Sequence, residues 1–410
     1  MAVKKKKKKR FKLFKFLFTL IILSGVGYGI YYGYKYFTSD NEVVEEPEIL
    51  PYKKEYKTSL VMVGDALIHG SVYRDANRLA GYKGYDFKPQ ITLIKKYVSD
   101  YDIAYYNQET ILGGTKLGLN DYPTFNSPQE IGDAMIDAGF NLVSLATNHT
   151  MDSGQNAVKE SRKYWNKQIG VQAVGSYTSE SEKDEIESRI LESNGITYAM
   201  LNYSYGTNGM PVPSGKPYMI NLWKTDTDNI NNPSLDTEYQ EYKKIVKSDI
   251  EKLRDKVDVL IVAMHWGVEY THTPTKYEKD MAKFLAENKV DIVIGTHPHV
   301  IQPTKYVGDT LVFYSLGNFI SAQTSEACSN YKCNVGVMGS VKITKTVKDG
   351  ESEISLSEVK NELIFTYHKN YKNFMVIPFS NPAIKDYLSD YKSVYKKYAN
   401  IMKVEDNRIE

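Results

Sequence analysis

Val257-Asp-Val-Leu-Ile-Val-Ala-Met-His-Trp-Gly-Val-Glu-Tyr270 shows most clearly how this chain is built. A short apolar run ends abruptly at His265 in a polar, Gly-containing cluster. Such a run fits a strand buried on both faces. The same punctuation recurs along the chain. Ser59–Gly64 leads to Asp65, Asp102–Asn107 to Glu109, Phe140–Ala146 to Asn148, and Val290–Gly295 to His297. Between these runs, residues 89–99, 127–138, 154–168, 239–256 and 275–288 read as helices. Strand–helix alternation predicts an α/β fold on a largely parallel sheet. Ligands bind beyond the carboxyl ends of the strands in such sheets, and five strand ends deliver Asp, Glu, Asn or His there.

Working outward, the pattern changes after Cys333. Residues 339–347 and 353–368 alternate like half-exposed antiparallel strands and are expected to pair as a hairpin. Residues 381–403 read as an amphipathic helix. Residues 203–235 are rich in Gly, Pro and Asn and read as a long loop of the kind that carries function. Residues 38–57 are acidic and Pro-punctuated, a linker.

The amino terminus sets the expected topology. Lys4–Lys9 and Arg10 form a basic run, and Phe16–Tyr34 contain no charge. That span is long enough to cross a bilayer as a helix. Positive residues before it favour an inside amino terminus, so the remainder is expected outside the cytoplasm. A cleaved signal peptide is the rival reading, but no small-residue cleavage site precedes the Tyr cluster. The expected organisation is a basic cytoplasmic tail (1–15), a transmembrane anchor (16–37), a linker (38–57), a main domain (58–345) and a carboxyl-terminal hairpin and helical extension (346–410).

The formal net charge of +2 is uneven. Residues 1–40 hold ten of the 52 Lys and Arg but one of the 50 acids, so the rest carries −7. A mildly acidic body argues against a nucleic-acid-binding surface. The two cysteines, Cys328 and Cys333, can close a small disulfide loop in an oxidising compartment, or stay reduced.

Six of the seven histidines fall near strand ends: His69, His149, His265, His272, His297 and His299. Asp65, Asn107, Glu109, Asn148 and Asp152 join them. Each has an ordinary alternative: Asp65 as a helix cap, Glu109 as a carboxylate at a helix start, Asn148-His149 as a turn, His265 as a buried ring. His297-Pro298-His299 is hardest to dismiss. Proline restricts the residue before it toward extended backbone, and an i, i+2 pair in extended chain shares one side. A convergent set of imidazole, carboxylate and amide oxygen is the mixed shell of a zinc, manganese or iron site. So many donors make two ions as reasonable as one, and paired ions suit hydrolysis of phosphate esters and some amides.

Gly64-Asp65, Asn107-Gln-Glu109, Ala146-Thr-Asn148-His149-Thr-Met-Asp152, His265-Trp-Gly-Val-Glu269-Tyr270, Gly295-Thr-His297-Pro-His299-Val-Ile-Gln302-Pro303 and Tyr314-Ser-Leu-Gly-Asn318-Phe319 occur in that order. Together they resemble the successive blocks of the CapA family of bacterial capsule (poly-gamma-glutamate) proteins, over roughly residues 58–325. The resemblance implies a calcineurin-like metallophosphoesterase-type fold, two packed sheets flanked by helices. It implies that Asp65 and His299 hold a first metal, that Glu109 bridges, and that Asn148, His265 and His297 hold a second. His149 would protonate the leaving group. His69, Asn107, Asp152, Glu269, Gln302 and Asn318 are further candidates for ligand or substrate contact. Glu269 and Trp266 are expected to orient His265 and wall the pocket. His69 follows Asp65 by four residues, where phosphoesterases use Asp-x-His. The implied role is synthesis, export or attachment of an anionic capsule polymer, alongside capsule-synthesis membrane proteins. A general cell-surface metallophosphoesterase and a non-catalytic polymer-binding module are the alternatives.

Overall fold

In a computed structural model, residues 2–38, 53–223, 232–324 and 326–405 are described, with side chains from residue 11 to residue 404. The chain divides into two units, Met1–Tyr52 and Lys53–Glu410.

The first unit contains helix α1 (Ala2–Thr38). Its Phe11–Thr38 segment is long and apolar enough to cross a membrane, and none of its most apolar window is buried. The helix starts well before the expected span, so the basic run continues the same helix. Most of the expected linker, 39–52, lies outside the described residues. Its end does not: Lys53–Lys57 are strand, a correction to the expected boundary.

The second unit holds strands β1 (Lys53–Ala66), β2 (Ile103–Asn107), β3 (Leu142–Ser144), β4 (Gln172–Val174), β5 (Leu191–Ser193), β6 (Ile196–Ser204), β7 (Val259–His265), β8 (Ile292–Thr296), β9 (Thr304–Val307), β10 (Thr310–Phe313), β11 (Asn318–Ile320), β12 (Val335–Lys348), β13 (Glu351–Lys369), β14 (Lys372–Pro378) and β15 (Val404–Glu405). Helices α2 (Gly70–Leu79), α3 (Lys88–Val98), α4 (Glu130–Asp137), α5 (Gly154–Trp165), α6 (Glu180–Glu187), α7 (Thr237–Leu253), α8 (Lys276–Glu287), α9 (Ile384–Tyr387) and α10 (Tyr391–Tyr398) complete it.

One sheet runs β14-β13-β12-β1-β2-β3-β4 with β11 added beside β1; the other runs β15-β9-β10-β8-β7-β6-β5. The period of two in the strands decides how they stack. Leu60, Met62, Ile103 and Tyr105 from the first sheet meet Ile261, Ala263, Ile292 and Ile294 from the second in a shared core. Their alternates face helices. Val61, Val63, Ala104 and Tyr106 pack with residues of α2, α3 and α4, while Leu260, Val262 and Val293 pack with α7 and α8. The result is two sheets face to face with helices on both outer sides, as the resemblance implies.

Local signals explain the helix starts. Thr275 and Glu278 form a reciprocal capping box on α8, and Asp236 accepts from the Tyr239 amide at the start of α7. The expected hairpin is β12 with β13, in antiparallel register along nearly its full length. The expected helix 381–403 is instead two short ones, α9 and α10. Leu388 between them is extended at φ −134°.

Candidate metal centre

Five strand ends supply the centre. Asp65 is the second-last residue of β1, Glu109 follows β2, Asn148 and His149 follow β3, His265 closes β7, and His297 and His299 follow β8. Because β1, β2 and β3 run parallel in one sheet and β7 and β8 run parallel in the other, these donors converge.

Glu109 is the hub. Its Oε1 lies 3.7 Å from His299 Nε2, 3.8 Å from His265 Nε2 and 4.0 Å from His149 Nε2. Donor atoms of Glu109, His297 and His299 all lie within 4.8 Å of one another. Neither oxygen of Glu109, nor His297 Nδ1, has a hydrogen-bond partner among the described residues, though all are buried. Dry, unpaired polar atoms are costly. A cation accepting their lone pairs relieves that cost, and the mixed oxygen and imidazole donors suit manganese, zinc or iron. The residues therefore fit a divalent metal.

The electrostatics agree. Burial pushes the Glu109 carboxyl well above the usual range; His299 pulls it down, while Asp65 and Glu269 push it further up. Burial, with neighbouring imidazoles adding, holds His265 and His297 well below the ordinary value. Burial also opposes charge on His299, but the Glu109 and Asp65 carboxylates outweigh it and raise the ring to about 9.

The donors are braced from behind. Asn107 Nδ2 donates to Asp65 Oδ1 at 2.8 Å, and its own oxygen accepts from Ser144 Oγ at 2.6 Å. Asn107 is thus a support for Asp65. His265 Nδ1 lies 2.9 Å from Thr296 Oγ1, and its Nε2 lies 3.0 Å from Asn148 Oδ1. His149 Nδ1 lies 2.7 Å from Asp152 Oδ2, which also accepts from the Phe125 amide. That pairing leaves His149 Nε2 turned to the pocket. Phe125 meets the His149 ring edge-on at 4.7 Å.

Several expectations need correction. His297 and His299 converge, with ring centroids 5.7 Å apart, but not through extended backbone: φ is +97° at His297 and +59° at His299. A turn with both residues in the left-handed region brings the rings together, a costly conformation that surrounding contacts must hold. Glu269 does not orient His265. It lies at the mouth, its Oε1 3.9 Å from His299 Nε2, and Thr296 braces His265 instead. Trp266 does not wall the pocket; it sits in the helix-side core and donates Nε1–H to the Tyr314 carbonyl at 2.9 Å. His69 stands aside, its Nδ1 3.1 Å from the Leu67 carbonyl and its ring against Phe125. Gln302 is buried and donates to the Thr271 carbonyl. Asn318 is fully buried behind His299.

Two residues beyond the sequence reading also line the centre. Tyr205 packs on His297 at 4.5 Å, and Asn208 accepts from Asn148 Nδ2 at 3.2 Å. Both lie in the Gly- and Asn-rich loop after β6, and their place in that loop was the available signal. Cys328 and Cys333 form a disulfide with a Cα separation of 5.1 Å, packed with Val300 and Tyr270.

The family model described as "Bacterial capsule synthesis protein PGA_cap" matches residues 59–323. The chain is 26% identical over 275 residues to the capsule biosynthesis protein CapA of Bacillus anthracis, covering 66% of this chain and 62% of that protein. It is 29% identical over 188 residues to the PGA biosynthesis protein CapA of Bacillus subtilis (strain 168), covering 46% and 44%. The match thus spans less than two thirds of either relative's own length. The solved structure of TT1561 of Thermus thermophilus is similar at 7% identity and a TM-score of 0.33, over 73% of this chain and 98% of that one.

Proposed function

The chain belongs to the bacterial capsule synthesis protein family PGA_cap, and from that premise we propose a membrane-anchored, extracytoplasmic protein of capsule biosynthesis with a hydrolase-like metal centre. The observation that carries the proposal is Glu109, buried, unpaired and within 4.0 Å of three imidazole Nε2 atoms. Asp65 and His299 would hold one divalent ion and Asn148, His265 and His297 a second, with Glu109 as a further ligand. When bound, such ions stabilise charge developing on phosphoryl or carbonyl oxygens and make a nucleophile available near neutral pH.

The chain's own residues do the rest. Asp152 keeps a hydrogen on His149 Nδ1 and so fixes which nitrogen faces the reacting group. His149 Nε2 then passes a proton to the departing oxygen or nitrogen. Phe125 and Tyr205 limit water around the rings. Beside His69 a groove of about 590 Å³ offers room for an anionic polymer such as poly-gamma-glutamate; of its cationic lining, Arg74 and Arg78 stand beside Asp121 and Asp75, at 3.7 and 2.7 Å, so Lys372 is the cation best placed to meet it. Residues 1–15 are the cytoplasmic tail, 16–37 the anchor, 38–52 the tether, and the unit from Lys53 onward, with its 346–410 extension, the outer body, which works beside other capsule-synthesis membrane proteins.

The test is elemental analysis of the purified full-length chain with assays on a phosphodiester and on polyglutamate. We expect bound Mn, Zn or Fe and cleavage of the polymer. No metal after supplemented expression sinks the centre, and cleavage of the phosphodiester alone turns the reading to a general surface phosphoesterase. Protease added to intact cells should remove the outer body; full protection overturns the topology.

A further inference from the structure

We propose that Asn318, held by the Cys328–Cys333 loop, is the positioning residue that fixes His299 for the metal centre; this rests on the metal reading above. Asn318 Nδ2 donates to Gln323 Oε1 at 2.8 Å and to the Cys333 carbonyl at 2.9 Å. Both amide hydrogens are thereby used, and a flipped amide would set oxygen against a backbone carbonyl. Oδ1 must face His299 Nδ1, which lies 3.0 Å away. An amide oxygen only accepts, so Nδ1 carries the hydrogen. Asp65 Oδ2, 3.3 Å from the same nitrogen, also only accepts. In the neutral ring that takes a metal, the lone pair is therefore left on Nε2, which faces Glu109.

The backbone leaves Asn318 little freedom. It pairs with Asp65 across β1 and β11. A Cβ at Gly336 would come within 2.1 Å of the Asn318 carbonyl oxygen. The loop that supplies the Cys333 carbonyl is unusual. Asn330 and Tyr331, both inside the disulfide ring, have φ of +58° and +64°. Two consecutive left-handed non-glycine residues are unfavourable without a constraint. The disulfide supplies one. Lys332 Nζ to the Tyr270 carbonyl (3.0 Å) and Tyr398 Oη to the Asn330 carbonyl (2.6 Å) supply two more. The chain of contact therefore runs from disulfide to carbonyl to amide to imidazole, and no member but the last meets the metal.

The experiment measures Mn²⁺ and Zn²⁺ affinity of the full-length chain in detergent by competition with a fluorescent chelator. Wild-type binding tests the metal reading itself; its absence sinks that reading first. Given binding, Asn318→Leu should weaken affinity by roughly 10- to 100-fold, the range for lost supports of ligand imidazoles. Cys328→Ser/Cys333→Ser should weaken it in the same direction. Since the loop acts through Asn318, the triple variant should be no weaker than Asn318→Leu alone, whereas independent effects would add. Histidine ¹⁵N spectra of the Zn²⁺-loaded wild type should show His299 protonated at Nδ1 and bound through Nε2, a signature lost in Asn318→Leu. Unchanged affinity in Asn318→Leu, or additive effects, overturns the proposal. If Asn318→Leu does not fold, the cysteine pair decides: unchanged affinity there overturns it equally.

Discussion

Replacing Glu109 by Gln keeps the shape of a fully buried side chain and removes a carboxyl whose ionisation burial opposes. In the metal-free chain this should help. Among the described residues neither Glu109 oxygen has a hydrogen-bond partner, and an unsatisfied buried polar group costs about 1–3 kcal/mol, more if charged. An amide can instead share hydrogens with the imidazole nitrogens standing 3.7 to 4.0 Å away. We expect the metal-free variant to gain about 1 kcal/mol. In a unit this large that raises Tm by no more than about 2 °C. With metal the order reverses. At a metal concentration about 100 times the wild-type Kd, binding stabilises the wild type by about 2.7 kcal/mol. If the variant binds about 100-fold more weakly, the same concentration yields only about 0.4 kcal/mol. Thermal unfolding with and without Mn²⁺ reads both effects: the variant should melt slightly higher when stripped and clearly lower when loaded. An equal metal-induced shift in both chains would refute the role of Glu109, and a stripped variant much less stable than wild type would refute the idea that its carboxylate is a burden.

His297→Gly suits the +97° backbone while deleting the ring, so bound metal per chain should fall with far-UV circular dichroism unchanged; full metal content would remove His297 from the ligand set. Asp258 ties the two sheets together, accepting from the Thr197 amide at 2.8 Å and pairing with Lys345 of β12 at 2.7 Å. Burial alone would raise its pKa, but Lys345 and Thr197 outweigh that and lower it below the ordinary 3.8. Its contribution is therefore present above that ordinary value and lost as pH falls through the lower folded one. Asp258→Asn should lose about 1 kcal/mol near neutrality, and the gap from wild type should close in acid; a gap constant with pH would contradict this.

Much of the fold was legible because strands buried on both faces leave unbroken apolar runs. β2, β3, β7 and β8 show themselves in this way, and each ends in or just before a residue of the centre. Strands β9 and β14 are short and mix Lys with Thr, Tyr or Asn, so no period announces them. β6 carries Thr, Asn and Tyr among its apolar residues because Asn202 bonds the Leu145 and Ala146 amides of the other sheet. The donors of the centre were legible from residue type and place. Some of their braces, Asn107, Asp152 and Asn318, were singled out for contact rather than support; others were not seen, since Thr296, Asn208 and Tyr205 are ordinary residues until the fold brings them near. His297 and His299 were identified for a wrong reason, since proline's local bias yields to a turn held by tertiary contacts.

The register of β1 carries a consequence for biogenesis. Lys53 lies opposite Lys348, and Met62 opposite Gly339. The strand bearing Asp65 thus emerges early in synthesis but waits for a partner made near the far end of the chain. Until then it offers one bare, hydrogen-bonding flank, the kind that recruits wrong neighbours. Nascent protein should need that flank shielded until β12 has been made.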